Sequence, residues 1–202
     1  MRYQAAIDAI LDRLSQDLPR NLHYHSIEHT LDVLERAKQL AAAEGITAEE
    51  DLILIQVAAS YHDAGFLINN RDHERLGCKL VRQELPDYGF NDNQIKAICG
   101  MIRATKVPQQ PRNLMEEIIC DADLDYLGRD DFYSIGGRLF RELKAFRILQ
   151  TTEQWNQIQI KFLRAHAYWT TTNQQLREAK KQARLAELIA EWGDPLTPPP
   201  AS

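Results

Sequence analysis

The chain has 202 residues, 44% of them hydrophobic and 26% charged, with 29 acidic against 24 basic side chains and a net charge of −5. This length and composition predict one globular domain with a substantial core. The acidic balance argues against nucleic-acid binding, and no apolar run approaches the roughly 18 residues of a membrane span. The N-terminus, Met1-Arg2-Tyr3-Gln4, leads into an amphipathic stretch and not into the apolar core of a signal segment. Cys78, Cys99 and Cys120 are far apart and lack Cys-x-x-Cys spacing, which predicts reduced thiols in a cytoplasmic protein and argues against thiolate metal ligation. No nucleic acid and no membrane is therefore expected as partner; a homo-oligomer is left open.

Read in chain order, the elements are helices. Residues 2–18 place Tyr3, Ile7, Ile10, Leu11 and Leu14 on one face, and Pro19 stops that helix. Ser26 is a good N-cap for a second helix running through Leu31, Leu34, Ala37, Leu40 and Ala41 to Gly45. Thr47-Ala48-Glu49-Glu50 has the form of a capping box. The helix it opens, through Leu52, Ile53, Leu54, Ile55, Val57 and Ala58, is apolar nearly all round and is expected to be central and buried. It should end near Gly65 with His62-Asp63 in its last turn. Further helical patterns cover about 71–85, 92–104, 112–127, 130–148, 152–170 and 173–192, separated by Pro86, Pro108, Pro111 and Gly128. No strand alternation, repeat or nucleotide-binding glycine loop is evident. The Pro-rich residues 195–202 are expected to be disordered.

The chemistry concentrates in a fixed order of His and Asp residues. His25 and His29 sit in Tyr24-His25-Ser26-Ile27-Glu28-His29-Thr30-Leu31-Asp32-Val33, His62-Asp63 follows Ala58-Ala59-Ser60-Tyr61, and Asp121 and Asp123 come late in Cys120-Asp121-Ala122-Asp123-Leu124. Imidazole with carboxylate suits borderline and hard divalent metals: Mn, Fe, Co, Ni, Mg or Zn. Two His and two carboxylates leave positions for water and substrate, the mark of a catalytic site. Asp63 follows a very apolar helix, where an unpaired charge is costly to bury, so a metal there would offset that cost. This pattern reads as a metal-dependent hydrolase.

These residues resemble the HD superfamily of metal-dependent phosphohydrolases over residues 22–135, most closely at 24–33, 58–65 and 121–128. The resemblance implies an all-α helical bundle whose metal is held by His29, His62, Asp63 and Asp123. Its pattern favours Asp123, the Asp followed by a hydrophobic residue, and leaves Asp121 an outer role or a plain helical one. Tyr24-His25-x-x-x-His29-x-x-Asp32-Val33 also resembles a motif of cyclic nucleotide phosphodiesterases, which implies His25 as proton donor to the leaving oxygen. His25 and Asp63 are thus the expected catalytic residues. Some relatives hold two metals through further His residues between the His-Asp pair and the last Asp; here only His73 lies in that interval, and Ile102-Arg103-Ala104-Thr105-Lys106 has none. A phosphorylated substrate needs cations, and Arg71, Arg103 and Lys106, with His73, are the candidates. The remaining third, with Trp155 and residues 162–168, is similar to an extension in a bacterial branch of predicted phosphohydrolases.

The expected organisation is one domain over 1–194, with its core at 22–135 and a helical extension over 136–194. The expected activity is hydrolysis of a phosphate ester in a small molecule, a nucleotide among the candidates. A di-iron oxygenase and a non-catalytic nucleotide-sensing module are the alternatives.

Overall fold

A computed structural model describes residues 1–196, so the disorder expected at 195–202 lies, from residue 197 on, outside the described residues. Among the described residues there are ten α-helices and three short 3-10 helices, and no strand, as expected of an all-α protein. The contacts divide the chain into one unit of residues 1–124 and a second beginning at Asp125.

In the first unit, α1 (Tyr3–Asp17), α2 (Ile27–Ala43), α3 (Glu49–Tyr61), α4 (His73–Glu84), α5 (Asp92–Ala104) and α6 (Leu114–Asp123) surround a common core. Helix α3 is its centre: it packs against α1, α2, α5 and α6, and its residues 53–61 other than Gln56 are all buried. A helix that is apolar all round has no face to offer to water, so neighbours must cover every side.

Helix starts differ from expectation at two caps: Ser26 stands at the N-cap of α2 without a side-chain capping hydrogen bond. The Thr47–Glu50 capping box does not form: α3 begins at Glu49 with Ala48 at its N-cap. The Glu50 carboxylate instead accepts a hydrogen bond from Gln94 Nε2 (2.6 Å). The reciprocal boxes lie elsewhere, at Asn91–Gln94 before α5 and at Thr151–Gln154 before α8. Both follow the same side-chain logic with Gln at the third position.

The second unit holds a 3-10 turn (Asp125–Gly128), α7 (Phe132–Ala145), α8 (Thr152–Ala165), α9 (Thr171–Leu176) and α10 (Glu178–Trp192). The single helix expected over 173–192 is broken at Arg177. Its side chain is drawn to the buried Asp125, Nε to Oδ1 at 2.8 Å. Its backbone carbonyl lies so close to Gly128 that a Cβ there would meet it at 2.5 Å. A contact some fifty residues away thus overrides local helical periodicity.

Candidate metal centre

Three segments bring the His and Asp residues together. His29 is the third residue of α2, His62 caps the C-terminus of α3, and Asp123 is the last residue of α6. Asp63 has left the helix: its backbone (φ −103°, ψ 3°) opens the 3-10 turn Ala64–Leu67. Helix α3 therefore ends one residue before the His-Asp pair, and the pair does not occupy its last turn. The irregular backbone lets two adjacent side chains face one point, where a regular helix would splay them by about 100°.

Among the described residues, His29, His62 and Asp123 each offer a ligand atom within 4.8 Å of the others. His29 Nε2 is 3.1 Å from Asp123 Oδ1 and 3.4 Å from His62 Nε2. His62 Nε2 is 3.7 Å from Asp123 Oδ1. Asp63 Oδ2 lies 3.2 Å from His62 Nε2 and 3.6 Å from His29 Nε2. The other end of the His62 ring is fixed, since Nδ1 donates to the Ala59 carbonyl at 2.7 Å. That bond sets the tautomer and aims the Nε2 lone pair at His29 and the carboxylates. Asp121 is fully buried within α6, and Asp123 is the member of that pair beside both imidazoles.

The residues fit a divalent cation. Asp63 Oδ2 is buried with no hydrogen-bond partner, and a lone pair and carboxylate oxygens converge with no cationic side chain among them. An arrangement of this kind is costly unless a positive charge sits at its centre. Without a metal, the proton takes that place. Burial works to lower the His62 pKa, but Asp63 and Asp123, with the Ala59 carbonyl, overcome it and push the value up to about 9. Burial likewise works to raise Asp63, and the imidazoles of His62, His25 and His29 hold it well below the usual carboxylate range.

An aromatic and imidazole wall borders the centre. His25 stacks on Phe66 with ring centroids 4.3 Å apart, and His73 stacks on the same ring at 4.2 Å. The His25 ring is 6.2 Å from His29 and 5.9 Å from His73. Tyr24 lies against His29 at 4.5 Å. His73 Nε2 is 3.4 Å from Asp63 Oδ1 and 3.6 Å from the buried Glu74. Gly65 makes this possible, because a Cβ there would meet the His73 carbonyl oxygen at 1.9 Å. Asp72, in the left-handed region (φ 52°), turns the chain into α4 just before His73. Phe66 and Tyr24 were not picked out by spacing; their signal was proximity to the His-Asp pair and to His25.

The expected phosphate-binding cations are dispersed. Lys106 Nζ pairs with Asp72 Oδ1 at 3.0 Å on the surface. Arg71 is exposed, with its backbone N–H on Asn69 Oδ1. Arg103 lines grooves formed by α4, α5 and the start of α6, which none of His25, His29, His62, Asp63, His73 and Asp123 lines.

Residues 26–125 match the HD domain family, and through this segment the chain belongs to that family. Two solved structures share its fold. One, from an uncultured Thermotogales bacterium and described as a predicted HD superfamily hydrolase, is 22% identical with a TM-score of 0.60, covering 94% of this chain and 92% of that one. The other, from Lactobacillus plantarum, is 21% identical with a TM-score of 0.65, covering 95% and 99%. No curated protein matches the chain. Among the described residues, no helix is long and apolar enough to cross a membrane.

Proposed function

We propose that the protein is a metal-dependent phosphohydrolase that cleaves a phosphate ester of a small molecule, a nucleotide being one candidate. The observation that carries this reading is the convergence of His29, His62 and Asp123, with the orphaned oxygen of Asp63, on one point. Membership of the HD family supports it, as does the description of one structural relative as an HD superfamily hydrolase. These four residues would hold a divalent ion, which would polarise a phosphoryl oxygen and acidify water.

The remaining roles belong to the chain's own side chains. His62 is held in one tautomer by the Ala59 carbonyl, so its Nε2 stays available as a ligand. His25, packed on Phe66, stands in the same wall as His73 and is the proton donor in this reading. Water gives up one proton to solvent and its oxygen bonds to phosphorus, the ester P–O bond breaks, and the leaving oxygen takes its proton from His25, which solvent reprotonates. Imidazole suits this task because its unperturbed pKa of about 6.5 lies near working pH.

A panel of phosphomonoesters and phosphodiesters, run on purified protein with several metals, tests the activity. For a poor leaving group, His25→Ala should keep its metal and lose turnover by roughly 10²–10⁴-fold. A nitrophenyl ester needs little protonation and should lose less. Equal losses on both substrates would remove His25 from the proton-donor role. Binding of nucleotides without turnover under every metal would favour a sensing module, and two irons per chain with oxygen consumption would favour an oxygenase.

A further inference from the structure

Four cations surround two adjoining grooves on the outer face of α5. The first, of ≈ 330 Å³, is lined by Arg82, Lys96 and Arg103 with Asp92. The second, of ≈ 310 Å³, is lined by Lys96, Arg103 and Arg112 with Glu116. Lys96 and Arg103 belong to both. They are seven residues apart on α5, two turns along one face.

Several cations in this acidic chain have carboxylate partners: Arg13 with Glu84, Lys106 with Asp72, Arg164 with Asp194 and Arg177 with Asp125. Among the described residues, Arg82, Lys96, Arg103 and Arg112 form no such ion pair. Of the two carboxylates at the grooves, Glu116 is engaged by the Arg112 backbone N–H at 2.8 Å. Two of the three arginines are also braced. Arg82 Nη1 donates to the Cys78 carbonyl (3.2 Å), and Arg103 Nη1 lies 3.9 Å from Cys78 Sγ. A braced guanidinium loses less freedom on binding and offers paired donors to phosphate oxygens.

We propose that these twin grooves bind a small anion carrying linked phosphate groups, at a site distinct from the metal centre. Two pockets with a shared cationic wall fit a diphosphate or triphosphate chain, one phosphate to each groove with Lys96 and Arg103 between them. Arg103 is then a residue of this site and not of the metal centre. The proposal stands whether or not the metal centre hydrolyses phosphate esters.

The test is calorimetric titration of the full chain, dialysed against chelator, with tripolyphosphate and separately with inorganic phosphate. Tripolyphosphate should bind one per chain and more tightly than phosphate. Lys96→Ala and Arg103→Ala should each weaken it by about tenfold or more, as losing a charge-assisted contact does. Lys79→Ala removes an exposed charge on α4 outside both grooves and should change it little. No binding by the unaltered chain, or equal losses for Lys79→Ala and Lys96→Ala, would overturn the site. Loss of tripolyphosphate binding in Asp63→Ala would move the ligand to the metal centre and overturn it as well. Equal affinity for phosphate and tripolyphosphate would refute the two-groove geometry. A single-stranded oligonucleotide that binds and is not displaced by tripolyphosphate would refute the small-anion assignment.

Discussion

The chemistry of this protein is concentrated in a few atoms around Asp63. Its Oδ2 is buried and has no hydrogen-bond partner, and His62 Nε2 points at it and at His29. Purified protein should therefore carry about one divalent metal per chain, and Asp63→Ala should lose it, as elemental analysis would show; equal metal in the variant would refute the ligand assignment. Asp123→Asn should also lose the metal. Asp121→Asn, altering a residue inside α6, should at most weaken binding by roughly 10–100-fold. The pH dependence follows from His62. Its folded pKa of about 9 stands above the ordinary 6.5, so in chelated protein its contribution to stability is full below about 6.5 and is lost as pH rises through about 9. A metal must displace that proton, so its affinity rises over the same interval. The gain in melting temperature on adding metal should be larger at pH 9 than at pH 6.5. A gain that shrinks with pH would contradict the proton–metal exchange.

At the scale of elements, two glycines hold segments together. Gly65 lies against the His73 carbonyl at a distance no side chain allows. Gly65→Ala must push α4 away from Asp63; it should cost about 3 kcal/mol by thermal unfolding, in line with overpacking, and move His73 off the centre. The central helix α3 gives a second expectation. Ile55 is fully buried among α3's neighbours, and Ile55→Ala should cost about 2–5 kcal/mol. In the second unit, the Asp125 carboxylate is 2% exposed and Arg177 is its partner at 2.8 Å. Arg177→Ala strips one cation from a buried charge and should cost about 3 kcal/mol by denaturant titration. A loss near zero would mean that Arg129, 3.5 Å from the same carboxylate, carries the pair alone.

Across the whole molecule, an acidic chain gathers imidazole and carboxylate groups at one point and leaves cations without ion-pair partners at another. The ligands come from three segments separated by up to 94 residues, so the centre exists only in the folded state. Metal binding is then linked to folding: at a free metal concentration one hundred times Kd it adds about 2.7 kcal/mol. Chelation should lower the melting temperature of the unaltered chain and leave that of Asp63→Ala unchanged.

The all-helical fold could be read directly from the amino-acid order, because periodicity and Pro and Gly breaks are local signals. The buried character of α3 was legible for the same reason, and so was the His29, His62-Asp63, Asp123 pattern, whose residue types already imply a divalent ion. Tertiary structure decided what depends on distance. It took Asp63 out of the helix and turned its carboxylate toward His62, and it set Asp123 and not Asp121 beside the imidazoles. It broke the last helix at Arg177, where the pull of buried Asp125 outweighs local propensity. It drew Glu50 from its capping box to Gln94. It also separated Arg103 and Lys106, three residues apart in the chain, between a groove and a surface ion pair. Spacing fixes a direction on a helix, whereas which partner a long cationic side chain meets is settled only by the packing of distant segments.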